Sequence, residues 1–77
     1  MKLSYNKLWK LLIDRNMNKT DLKEKAEISA GTVARLGKDE NVNTSILLKI
    51  CTALDCDIAD IVETVRDETL KEENIDG

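Results

Sequence analysis

The apolar positions of the chain fall into one repeated device: an apolar residue, a residue of capping type, then a second apolar residue four positions after the cap. This is a hydrophobic staple, which fixes how a chain enters a helix. It occurs as Leu3-Ser4-Leu8, Met17-Asn18-Leu22, Ile28-Ser29-Val33, Val42-Asn43-Leu47 and Cys56-Asp57-Ile61. Each middle residue carries an oxygen that accepts from the orphan amides of a first helical turn. Five starts predict five helices, with no interval unassigned before residue 66. The first runs from Tyr5 to Arg15, with Leu8, Leu11 and Leu12 inward and Lys7, Lys10 and Asp14 outward. Trp9 and Ile13 widen that face, and three readings of them stand: cover for the core rim, a partner-binding ridge, or a contact with another part of the chain. The fourth helix, Thr44 to Leu54, places Leu47, Ile50, Cys51 and Leu54 at i, i+3, i+4 and i+7. The fifth repeats that interval with Ile58, Ile61, Val62 and Val65, and these two helices are expected to hold the core. Lys2-Leu3-Ser4 has a second reading as an extended segment. Its only candidate strand partner is Ile61 to Val65, which is rich in β-branched residues.

Between the first and fourth helices lies Lys19 to Lys38, read as two short helices and a tight turn. Thr20 to Ala26 offers Leu22 and Ala26 to a core, Thr32 to Lys38 offers Val33 and Leu36, and Glu27-Ile28-Ser29 joins them. That is the layout of a helix-turn-helix. The 77 residues have room for one domain with one small core. Proline is absent, the aromatics are Tyr5 and Trp9, and 35% of residues are charged, which favours an all-α fold over a sheet. The domain is expected to occupy residues 1–66, with 67–77 a polar, acidic, flexible tail or a few more turns of the fifth helix. Cys51 and Cys56 lack the company of a zinc site and lie too close in sequence for a disulfide framework, so they read as reduced core thiols. The expected compartment is the cytoplasm, since no cationic-then-apolar leader and no apolar run of ~20 residues suggests export or a membrane anchor.

A net charge of −3 argues at first against a polyanionic partner. The charges are segregated, however. Residues 1–38 carry nine basic against four acidic side chains, a balance of +5, and residues 39–77 carry three against eleven, a balance of −8. The local field steers a polyanion, and the basic half contains the helix-turn-helix. Catalytic chemistry has little to work with. There is no histidine, no glycine-rich phosphate loop and no carboxylate pair in an apolar setting, so the chain is not expected to be an enzyme or to need a cofactor, a metal or a small-molecule ligand. Asp55, Asp57 and Asp60 lack the central glycine and terminal glutamate of a calcium loop and read as capping acids.

Residues 5–65 resemble the helix-turn-helix domain of the Cro and phage-repressor superfamily, and within it the small, nearly domain-only bacterial transcriptional regulators. The resemblance is carried by Met17-Asn18-Lys19, Leu22, Ala26, Ile28-Ser29, Thr32-Val33, Arg35-Leu36, Leu47-Leu48-Lys49-Ile50 and Ala53-Leu54. It implies a five-helix, lambda-repressor-like fold whose recognition helix, about residues 30–38, enters the major groove of double-stranded DNA. On that resemblance Ala30, Gly31 and Arg35 face base edges, while Asn18, Lys19, Ser29, Thr32, Lys38, Asn41 and Asn43 meet phosphates. A homodimer is expected, with the fifth helix and the Trp9 ridge as candidate interfaces.

The sequence also departs from the superfamily pattern. Lys23 stands where a small alanine is usual, and Glu27 stands where the turn usually has glycine. Lys23 must therefore snorkel outward, and Glu27 must take a positive φ at a cost of about 1 kcal/mol or shift the turn. Ala30 and Gly31 replace longer polar residues, which leaves Arg35 as the only strong base reader. The alternative function is a protein-binding adaptor or antitoxin-like module that keeps the fold and works through its acidic half.

Overall fold

The three central helices begin at the caps expected of them. In a computed structural model that describes residues 1–66, Asn18 precedes α2 (Lys19–Ala26), Ser29 precedes α3 (Ala30–Gly37) and Asn43 precedes α4 (Thr44–Leu54). Each cap oxygen accepts the backbone N–H three residues on: Asn18 from Asp21 at 2.8 Å, Ser29 from Thr32 at 3.1 Å and Asn43 from Ile46 at 3.2 Å. One orphan amide of each first turn is thereby satisfied by its own local sequence.

The two ends of the chain differ from the sequence-based expectation. The first helix, α1 (Asn6–Asp14), starts after Tyr5, which makes no side-chain cap bond. Ser4 is instead the buried last residue of a strand, β1 (Lys2–Ser4), although its hydroxyl still accepts the Asn6 N–H at 3.3 Å. The expected fifth helix does not form. Ile58–Asp60 makes a single 3-10 turn, and Glu63–Val65 makes a second strand, β2. The strands are antiparallel, with Lys2 opposite Val65, Leu3 opposite Thr64 and Ser4 opposite Glu63. The described architecture is thus four α-helices and a two-stranded sheet, and the extended reading of Lys2-Leu3-Ser4 is the one the structure takes. It also removes the fifth helix as a dimer interface.

Asp57 caps this turn much as Asn18 caps α2, so the difference arises beyond it. The Asp57 carboxylate accepts the Ile58 N–H at 2.7 Å, while Asp60 reaches back to accept the Asp57 N–H at 3.0 Å. The capping box closes on itself within three residues. Beyond it, the segment Ile61-Val62-Glu63-Thr64-Val65 is mostly β-branched and loses χ1 freedom in a helix, whereas β1 offers a ladder for it. A two-stranded sheet is marginal alone. Here Ile61, fully buried in the helical core, anchors it.

That core joins Tyr5, Leu8 and Leu12 to Leu22, Ala26, Ile28, Val33 and Leu36, and to Leu47, Ile50 and Leu54 of α4. The most extensive helix packing is α2 against α4, with α3 held on α2. Cys51 and Cys56 are free thiols and only half-buried, so Cys51 is a rim residue, not a core one. Trp9 and Leu11 pack partly buried on the rim, but Ile13 is 71% exposed. No helix among the described residues is long and apolar enough to cross a membrane. The expected tail, 67–77, lies outside the described residues.

Candidate nucleic-acid interface

The turn between α2 and α3 is made without glycine. Glu27 sits at φ 56°, ψ 48°, the left-handed region, and the Ile28 N–H donates to the Lys23 carbonyl at 3.1 Å. Ile28 is buried beneath the turn. Glu27 has thus taken the positive φ, with its expected cost of about 1 kcal/mol. Its carboxylate stays exposed, and Lys23 is half-buried.

α3 is fastened by Val33 and Leu36, which are buried against the core. The opposite face is open: Ala30, Gly31, Ala34, Arg35 and Lys38 are all exposed. Ala34 has no place in the sequence-based site. Its interval to Ala30 and Lys38, four residues each way, is the signal that puts it on this face. Nothing crowds Gly31, where an added Cβ would lie 3.8 Å from the Ser29 hydroxyl. The Ser29 and Thr32 hydroxyls hydrogen-bond each other at 2.9 Å, so the two side chains expected to reach phosphate stand together at the helix tip.

At the start of α2 the picture is mixed. Asn18 and Asp21 form a capping box in which Asp21 accepts the Asn18 N–H at 3.1 Å. The Asn18 amide is therefore engaged, and an acid stands in the first turn, a residue to which the sequence pattern alone gives no role. Lys19 is exposed and reaches α3: its ammonium lies 3.6 Å from the position a Cβ on Gly37 would occupy. With Thr20 and Lys23 it also borders a shallow depression against Ala30 and Val33. The structure thus brings Lys19 and Lys23 to α3.

Asn41 and Asn43 lie after α3 in an exposed loop. Asn43 is committed to its cap, accepting from Ile46 and from the Ser45 hydroxyl at 2.6 Å. The loop is held from below by Tyr5, another residue that the sequence pattern does not single out. Its N–H donates to the Asp39 carboxylate at 3.2 Å and its hydroxyl donates to the Glu40 carbonyl at 2.8 Å. Asp39 is itself left-handed, at φ 55°. Burial pushes the Tyr5 hydroxyl pKa up, a backbone bond from Val42 opposes this, and the Asp39 charge adds to it. A lone tyrosine in a small core needs a partner for its hydroxyl, and that need is the available signal.

Three basic residues of the N-terminal half lie elsewhere. Lys7 donates to the Ala59 carbonyl at 3.1 Å, Arg15 donates to the Leu54 carbonyl, and Lys10 borders a cleft with Asp14, Asp55 and Asp60. Among the described residues there is no group of three or more metal-ligating side chains.

The Cro/C1-type HTH DNA-binding domain matches residues 7–67. The crystal structure of the transcriptional regulator VanUg (Form II) is similar at 53% sequence identity, with a TM-score of 0.83, over 86% of this chain and 88% of that one. No curated protein matches at a significant level. The chain belongs to the family of Cro/C1-type helix-turn-helix DNA-binding domains.

Proposed function

We propose that this chain is a sequence-specific transcriptional regulator that lays α3 in the major groove of duplex DNA and acts as a homodimer. The observation that carries the reading is the two-sidedness of α3. Val33 and Leu36 are buried, while Ala30, Gly31, Ala34, Arg35 and Lys38 form an open face with little bulk and two cations. A helix with so small a tip approaches base edges closely. Arg35 then supplies the bidentate contact to a guanine, and Ala30 or Ala34 meets a thymine methyl. Asn18, Lys19, Ser29, Thr32 and Lys38, with Asn41 and Asn43 beyond α3, set the register through phosphates. Residues 1–66 are the binding unit.

One arginine reading one half-site gives modest discrimination, and two-fold symmetry doubles it. The likeness to a solved transcriptional regulator supports the regulatory role. The test is selection of bound sequences from random duplex DNA at one stated salt concentration, with the stoichiometry of the selected complex measured by sedimentation. The expected result is a palindromic site with half-site centres about 34 Å apart and two chains per duplex. If no sequence is enriched, the reading is overturned and a protein-binding adaptor takes its place. One chain per duplex overturns the dimer alone.

A further inference from the structure

Lys19 lies against α1 and beside the end of α3. The Trp9 ring of α1 lies under its ammonium, 4.8 Å from centroid to Nζ, and the ammonium also lies beside Gly37, in the last turn of α3, at 3.6 Å from where a Cβ would stand. A surface lysine ordinarily samples many rotamers and loses that freedom when it grips a ligand. Here the head group is already localised where α1, the start of α2 and the end of α3 meet, and the carbonyl end of α3 adds a favourable field. Trp9 is only half-buried, which leaves its ring face available to the cation. An ammonium has three N–H donors, and a ring on one side leaves the others directed outward.

We infer that Trp9 is a positioning residue for DNA binding: it holds the Lys19 ammonium where a backbone phosphate of the duplex meets the start of α2. The inference rests on the DNA-binding reading above. An exposed contact of this kind is worth about two- to fivefold in affinity.

The test is a double-mutant cycle of Trp9→Leu with Lys19→Ala on the selected duplex, read as affinity against salt concentration, with folding of each variant checked by circular dichroism. In the wild-type background Trp9→Leu is expected to weaken binding about two- to fivefold and to lower the salt slope toward that of Lys19→Ala, whose own loss is about one. In the Lys19→Ala background it should have no further effect, and Trp9→Phe should restore most of the loss. Equal weakening in both backgrounds with an unchanged slope makes Trp9 merely structural and overturns the inference, as does no weakening at all. If Trp9→Leu does not fold, the same cycle with Trp9→Met decides it by the same outcomes. A wild type that binds no duplex overturns the DNA-binding reading itself, a result distinct from any pattern within the cycle.

Discussion

Two sets of basic side chains on adjoining helices have opposite fates. At α1 and its C-cap, Lys7 and Arg15 are bound to the carbonyls of Ala59 and of Leu54, the last residue of α4, and Lys7 also lies 3.8 Å from the Glu63 carboxylate. Around α2 and α3, Lys19, Arg35 and Lys38 are exposed and their charges face outward. Along the sequence both sets belong to one half with a balance of +5. In space that half is divided: part of its charge closes helix ends and part is available to a polyanion. A charge count along a chain therefore overstates the field on any one face, because cations are also the natural partners of orphan carbonyls at helix ends. Acids sharpen the contrast. Asp21 and Glu27 stand beside the open set and reduce its field, while Asp14, Asp55 and Asp60 accompany Lys10 in the cleft on the other side.

Substitutions that separate binding from folding test this division. Arg35→Ala should have the largest effect, a loss of about 1–3 kcal/mol on the selected duplex with relaxed preference at one position per half-site. Its urea midpoint should stay that of the wild type, because Arg35 is exposed and lies outside the core. Arg15→Ala should do the reverse. Losing the bond to the Leu54 carbonyl should lower the unfolding free energy by about 1 kcal/mol, while the salt slope of DNA binding stays unchanged. A changed slope would show that Arg15 serves the open face after all.

Glu27→Gly acts on both quantities. Relief of the left-handed strain should raise stability by about 1 kcal/mol, and removal of an exposed anion beside α3 should tighten DNA binding most at low salt. A stability gain with no gain in binding would place the carboxylate outside the phosphate path. Lys7→Ala should matter least, below about 0.5 kcal/mol in stability, since its bond to the Ala59 carbonyl is exposed, unlike the part-buried bond of Arg15, and the Lys7–Glu63 pair is 46% and 40% exposed and screened by solvent.

Alkaline pH reaches both sides in turn. Burial pushes the Cys51 thiol above its ordinary value of 9.0, a hydrogen bond from Cys56 opposes this, the charges of Asp57 and Asp60 add to it, and burial raises Cys56 as well. Burial likewise raises Tyr5 above 10.0. Groups whose folded pKa is raised in this way favour the fold in their neutral form. Their contribution is whole below the ordinary value and is lost as pH rises through the folded one. Stability should therefore begin to fall above pH 9, and the Cys51→Ser, Cys56→Ser double variant should delay that onset toward the tyrosine range, as read from thermal melts across pH.

The starts of the three central helices were legible because their causes are local. Asn18, Ser29 and Asn43 each accept an amide three residues on, and α4 keeps the bounds Thr44–Leu54 that its apolar spacing indicates. The candidate site was legible as far as α3, whose open face can be deduced once Val33 and Leu36 are known to be buried. Its supports were less so. The hold of Tyr5 on Asp39 and Glu40 links residues 34 and 35 positions apart, and the contact of Trp9 with Lys19 depends on how α1 crosses the start of α2.

The C-terminal quarter divides the two kinds of information most clearly. By itself the sequence determined where the three central helices begin, which residues are apolar enough to be buried, and that Glu27 stands at a turn position that suits glycine. Only the tertiary structure decided that Ile58 to Val65 becomes a turn and a strand. The apolar interval of that segment fits a helix, and its β-branched residues fit a strand equally well. The choice fell to a partner at the far end of the chain, β1, because a ladder forms only where a second backbone offers its amides and carbonyls. The same holds for the charges. A lysine is cationic wherever it stands, but whether it closes a helix end or faces solvent depends on which carbonyls the fold brings to it.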